Sequence, residues 1–257
     1  MLDQEQVAAF LLVFARAGAF LAAGPLFWLP NIPRAAKAGF AFVVALALFP
    51  VVPAPAFPPF FSGGLLGFAL AAAQETCVGL LLGFVCSLVF HSLTVAGQLM
   101  DIQMGFFMAN IFDPATGAQA TITSRFLYLL GVVLFFTLDG HHVLLAGLAR
   151  SYNLVPLFGA TLKGATALSV IRIFAQMIAL AVQIAAPVVA VILIIDICLG
   201  ILGRTSPEMN IFMLGFPAKV GLGIFTLSIL VPLLGVVFRS LVGMVERDLL
   251  IVLKGLS

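Results

Sequence analysis

The chain has 257 residues, of which 63% are hydrophobic and only 9% charged, against about 25% charged in an ordinary soluble domain. With a mean hydropathy of +1.25 it carries too few charges to wet a soluble surface of its size. That excludes a cytosolic enzyme, a secreted disulfide scaffold and a disordered chain. The formal net charge is +2 and the charges are scattered, so no basic stripe tracks a phosphate backbone and no nucleic-acid partner is expected. What remains is an all-α, multi-helix, membrane-associated protein whose surface faces lipid or other apolar protein.

The stretch from Met1 to Glu5 is acidic where a cleaved signal carries a basic region, so the first apolar run is expected to stay as a helix. It extends from about Val7 to Leu29, has Arg16 near its middle and stops at Pro30. A second helix is expected over Ala38–Phe49. Pro50, Pro53, Pro55, Pro58 and Pro59 then end it, because each proline removes a backbone donor and clashes with the preceding turn. The apolar run from Gly63 to Met100 is either one very long helix or two that meet near Gln74-Glu75. Within it, Gly79 and Gly83 leave a flat strip on which another helix backbone can approach.

Helical runs resume over Phe126–Arg150, Gly164–Leu202 and Ile211–Val245, with kinks expected at Pro187 and Pro232. Glu246 to Lys254 reads as a short amphipathic tail. Cys77, Cys86 and Cys198 lie inside apolar runs at neither zinc-ligand nor paired-disulfide spacing, and read as small buried apolar side chains. Lys and Arg in short loops set membrane orientation. Segments 30–37 and 150–172 are both basic, yet an alternating count of spans puts them on opposite sides. Either one run is not a full crossing, or hydropathy here reports burial in an assembly as much as burial in lipid.

Arg16, Glu75, Asp139, Asp196 and Lys219 stand in or beside apolar runs. A charge at the centre of a spanning helix costs about 3 kcal/mol on insertion scales, so each is a candidate functional or assembly position. Asp139-Gly140-His141-His142 offers titratable groups in a row. Adjacent histidines point about 100° apart on a helix and do not make the two-ligand face of an i, i+4 pair. A hydrogen-bonded cap at a segment end is therefore favoured over a proton relay or a metal site. No nucleophile elbow, phosphate loop, dinucleotide fingerprint or zinc-protease motif occurs, so no catalytic residue, cofactor or metal is expected.

The sharpest non-helical feature is 104–117. Met104, Gly105, Phe106, Phe107, Met108, Ile111 and Phe112 crowd large apolar groups directly before the turn formers Asp113, Pro114 and Gly117. Such residues form either a helix end with a core-packed loop or a hydrophobic constriction that seals a conduit by excluding water. Chemistry alone favours the packed loop.

Phe14-Ala15-Arg16, Pro25, Ile32-Pro33, Gln103-Met104-Gly105-Phe106, Asp113-Pro114, Asp139-Gly140-His141, the run Arg204 to Asn210 and Gly215-Phe216-Pro217-Ala218-Lys219 occur in that order. Together they resemble the FliR family of flagellar export-apparatus proteins, which is related to the T component of virulence injectisomes. The resemblance implies a non-enzymatic, single-copy subunit of a type III protein-export gate in the bacterial inner membrane, at the flagellar basal body. It implies co-assembly with several copies of FliP and FliQ in a closed helical complex, with FlhA and FlhB as further partners, through which unfolded flagellar subunits pass.

The resemblance further implies a FliP-like portion over about 1–203, with a channel plug over about 105–121, and a FliQ-like helical hairpin over about 204–257. Arg204, Pro207, Glu208, Asn210 and Lys219 then become assembly positions. One departure stands out: Glu208 follows the proline where the family usually has Gln. The competing reading of the residues is a proton-coupled small-solute transporter using Asp139, His141 and Asp196, although no paired broken helices in two related halves are evident.

Overall fold

A computed structural model describes residues 4–25, 33–53, 65–106, 122–161, 164–206, 208 and 210–256. Among them are seven helices: α1 (Gln4–Ala23), α2 (Arg34–Leu48), α3 (Leu65–Met104), α4 (Ile122–Thr137), α5 (Gly140–Leu154), α6 (Gly164–Thr205) and α7 (Ile211–Leu256). No strand occurs among the described residues. The chain is all-α.

Helix α3 is apolar on every side, the pattern of a helix surrounded by protein. In its most apolar 18-residue stretch 67% of the residues are buried, and Leu82, Cys86, Ala96 and Met100 are fully enclosed. By contrast the corresponding 18-residue stretches of α6 and α7 are only 28% and 17% buried. With 40, 42 and 46 residues, α3, α6 and α7 each contain about 60–70 Å of helix axis, roughly twice the thickness of a hydrocarbon core.

Contacts divide the chain into two compact units. The first comprises Met1–Val89, Asp139–Phe174 and Val242–Ser257. Here α1 lies on α3 at Gly79 and Gly83: a Cβ at either would fall 2.8 Å from the Cβ of Ala19 or Ala23 respectively. Phe10 packs edge-on against Phe42 and Phe49, at 5.5 and 5.7 Å between ring centroids. The end of α7 is tied down through carbonyls that have no partner within the helix. Leu256 O accepts from Thr161 N at 2.9 Å, and Gly255 O accepts from Thr166 Oγ1 at 2.6 Å.

The second unit comprises Phe90–Leu138 and Ala175–Leu241. Phe90 of α3 meets Phe135 of α4 and Phe238 of α7 edge-on, at 5.3 and 6.2 Å between centroids. Gly215 faces Leu199, Lys219 pairs with Asp196, and Gly223 faces Ile192, so α6 and α7 run antiparallel within this unit.

Several expectations change. Of the two alternatives for the run from Gly63 to Met100, the described residues take the first: α3 is one helix from Leu65 to Met104, unbroken at Gln74-Glu75. The run Phe126–Arg150 is not one helix. It breaks at Asp139, which adopts a left-handed φ of 55°, and α4 and α5 meet at a 73° bend. Pro187 and Pro232 lie inside helices as expected, and Pro217 lies inside α7 as well. Residues 246–256 are no separate tail but the last turns of α7, with Val252, Leu253 and Leu256 buried. Only Cys86 is buried; Cys77 and Cys198 lie on open helix faces.

Candidate functional site

The segment singled out in the sequence begins in the second unit. Met104, the last residue of α3, is fully buried, and its Sδ and Cγ occupy the space that a Cβ on Gly223 would fill. Helix α3 then ends on Gly105, whose φ of +87° is the left-handed conformation that glycine adopts without steric cost. Phe106 N donates to Asp101 O at 3.0 Å and Gly105 N to Ile102 O at 3.2 Å, the paired bonds of a Schellman C-cap. The Phe216 ring stands against Gly105. Phe106 is half-buried. Phe107, Met108, Ile111, Phe112, Asp113, Pro114 and Gly117 lie outside the described residues.

Helix α4 resumes the chain at Ile122. Its first-turn N–H groups have no intrahelical acceptor. Asp101 of α3 supplies one: Oδ1 accepts from Thr123 N at 3.0 Å and Oδ2 from Ser124 N at 3.2 Å. Sequence reading missed Asp101 because it stands at a helix end, where an acidic residue is ordinary, and its partners lie 22 and 23 positions away.

In the first unit, Arg16 and Glu75 are both fully buried and meet as an ion pair, Nε to Oε2. Arg16 Nη1 also donates to Ser151 O at 3.2 Å and Val155 O at 2.9 Å, and its guanidinium carbon lies 4.6 Å from the centre of the Tyr152 ring. Tyr152 itself donates to Val13 O at 3.0 Å. Glu75 Oε1 accepts from Phe158 N at 3.2 Å, which accounts for the left-handed φ of 69° at Phe158: the turn must aim that N–H inward. One polar knot thus joins α1, α3, α5 and the turn after α5. Ser151, Tyr152 and Phe158 carry no signal of this in the sequence.

The remaining candidates are more open. Asp139 is exposed, as is His142, whose Nδ1 lies 3.5 Å from Asp139 Oδ1 across the elbow. His141 is partly buried. The ligating atoms of Asp139, His141 and His142 all lie within 4.8 Å of one another, a grouping that could hold a metal ion. Asp196 and Lys219 pair across α6 and α7 with side chains 45% and 25% exposed. Arg204 and Glu208 are exposed, Pro207 lies outside the described residues, and Asn210 Oδ1 caps α7 by accepting from Met213 N at 3.3 Å.

These positions are held on a chain whose family is now identifiable. The model of the family described as "Bacterial export proteins, family 1" matches residues 7–245. The chain belongs to this family. It is 33% identical to the flagellar biosynthetic protein FliR of Bacillus subtilis (strain 168), with 97% of this chain and 96% of that relative covered. It is 34% identical to the FliR protein of Caulobacter vibrioides over 87% of this chain and 88% of the relative. For the FliR protein of Escherichia coli (strain K12) the identity is 29%, over 84% of this chain and 81% of the relative. The similarity to FliR proteins therefore runs through both units and every candidate position named above.

Proposed function

We propose that this protein is a structural and gating subunit of the flagellar type III protein-export gate, helping to form and plug the channel that unfolded flagellar subunits cross. The carrying observation is end-to-end similarity to FliR proteins, joined to an apolar segment tethered between α3 and α4. A passage wide enough for an unfolded chain must hold back ions at rest. Phe, Ile and Met side chains close such a space while offering no polar group to a hydrated ion, and methionine deforms around a passing chain.

In this reading Met104, Gly105, Phe106, Phe107, Met108, Ile111, Phe112, Asp113, Pro114 and Gly117 belong to the plug. The partners are several copies of FliP and FliQ, together with FlhA and FlhB, in the inner membrane at the flagellar basal body. About 1–203 is the FliP-like part and about 204–257 the FliQ-like part, and α6 and α7 form a hairpin. Ile171, Ile194, Ile197, Phe225, Leu233 and Val236 are exposed on the two hairpin helices. Helices twice the length of a hydrocarbon core leave part of such surface for protein rather than lipid to cover. A proton-coupled transporter is not favoured: Asp196 is paired with Lys219, and Asp139 sits on an exposed elbow. Nothing in the reading calls for catalysis or a cofactor.

The test replaces Phe106, Phe107 and Phe112 together by Ala and measures ion permeability and flagellar export with the assembled complex. A leaky membrane or altered export is expected. Unchanged permeability with normal export would overturn the plug.

A further inference from the structure

We propose that Asp101 is a positioning residue for the plug, a clasp that holds the exit of α3 at Phe106 to the entry of α4 at Thr123 and Ser124; this rests on the plug reading above. Four observations converge on it. The Asp101 side chain is buried, at 2% exposure. Its main-chain carbonyl accepts from Phe106 N and so closes the exit of α3, while its carboxylate accepts from Thr123 N and Ser124 N and so closes the entry of α4. One residue therefore holds the last turn before the segment and the first turn after it.

The surrounding atoms reinforce the neck. Ser124 Oγ donates to Thr94 O at 3.0 Å. Gly97 lets the backbones touch, since a Cβ there would stand 2.9 Å from the Thr123 carbonyl carbon and nearer still to the Ser124 backbone. A negative charge at the N-terminus of α4 also complements the helix dipole. A helix is ordinarily capped by the residue just before its first turn. A cap reached from 22 positions upstream does more than satisfy donors: it makes the start of α4 conditional on the end of α3.

Neutral alternatives at this position can be ranked. Asn keeps the shape and one acceptor but turns an amide toward the second N–H. Ala keeps neither bond. Loss of a charge-assisted hydrogen bond is worth about tenfold in the closed population of the neck, so the effect of Ala exceeds that of Asn.

The experiment uses the complex purified with its co-expressed membrane partners, reconstituted in liposomes and assayed for ion leak. Asp101→Ala is expected to raise leak roughly tenfold and Asp101→Asn by less, with amide exchange at Thr123 and Ser124 accelerated in the same order. Replacing 107–117 by a Gly-Ser linker raises leak by itself, and adding Asp101→Ala to that replacement raises it no further. Asp101→Asn carries the test where the Ala variant fails to assemble, because it preserves volume: leak above wild type supports the clasp and leak equal to wild type overturns it. The clasp is also overturned where the linker leaks but Asp101→Ala does not, or where Asp101→Ala adds to the leak of the linker. A linker complex as tight as wild type sinks the plug reading itself, a different result from either.

Discussion

Arg16 and Glu75 form an ion pair in which both side chains are completely shielded from solvent, and each also holds backbone groups of the chain around α5. Taking two charges out of water is costly, and here Arg16 Nε and Nη1 and both Glu75 oxygens are matched while Arg16 Nη2 is buried without a hydrogen-bond partner. Removing one partner strands the other. Glu75→Ala is expected to destabilise the first unit by about 3–5 kcal/mol, while replacing both residues together by Met and Leu costs far less or nothing. Thermal unfolding of the detergent-purified complex, run as a double-mutant cycle with Arg16→Met, Glu75→Leu and their combination, reads the difference; a double-variant loss equal to the sum of the two single losses would show that the pair is not coupled.

Helix α1 reaches α3 only because Gly79 and Gly83 lack side chains. At Gly79 the nearest atoms to a built Cβ are the Arg16 carbonyl oxygen, the Ala19 Cβ and the Phe20 nitrogen, mostly backbone that cannot step aside. Gly79→Val is expected to cost about 3 kcal/mol and to lower the yield of assembled complex. Gly39→Ala is the control, since nothing lies within 4 Å of a Cβ there, and it should be neutral or slightly stabilising as a helix substitution. A Gly79 variant as stable as the Gly39 variant would contradict the close approach.

Much of this was legible beforehand, and the failures have physical causes. Long apolar runs announced the helices, and the Gly79/Gly83 spacing announced a backbone contact, because both signals are local. The break at Asp139 escaped notice because hydropathy is blind to φ: 126–150 is apolar enough to read as one helix, and only the left-handed residue divides it. The charged residues were found, but not their partners. Glu75 and Arg16 were separate candidates until the fold joined them across 59 positions. Asp101 drew no attention because a carboxylate at a helix end needs no tertiary explanation until its acceptor atoms are located.

The Asp196–Lys219 pair locks the register of the α6–α7 hairpin beside the glycine contacts at 215 and 223. Both side chains are partly exposed, so the pair is worth about 1 kcal/mol or less in water, and more where lipid or partner protein covers it. Lys219→Glu puts two like charges together and is expected to reduce assembly. The double exchange Asp196→Lys with Lys219→Asp should restore most of it. Native mass spectrometry of the co-expressed complex measures the recovery, and an exchange that performs no better than Lys219→Glu alone would mean that each charge answers to something other than its pair.

The elbow between α4 and α5 also bears on how the chain crosses the membrane. By length and composition α1, α3, α6, α7 and α2 extended by the turn to Val51 are each sufficient to span, and α4 with α5 passes only as a pair bent by 73°. Counted as a full crossing, that pair puts the basic start of α2, with Arg34 and Lys37, on the opposite side from the basic region after Arg150. Counted as re-entrant, it leaves α2 and α3 as the crossings between them among the described residues, and both basic regions then fall on the cytoplasmic side as the charge bias requires. Arg34 and Thr161 are exposed and suited to single-cysteine labelling in a background with Cys77, Cys86 and Cys198 replaced. With a membrane-impermeant thiol reagent, Arg34→Cys and Thr161→Cys are expected to label from the same side. Labelling from opposite sides would make α4–α5 a broken but complete span and return the charge conflict to the assembly around it.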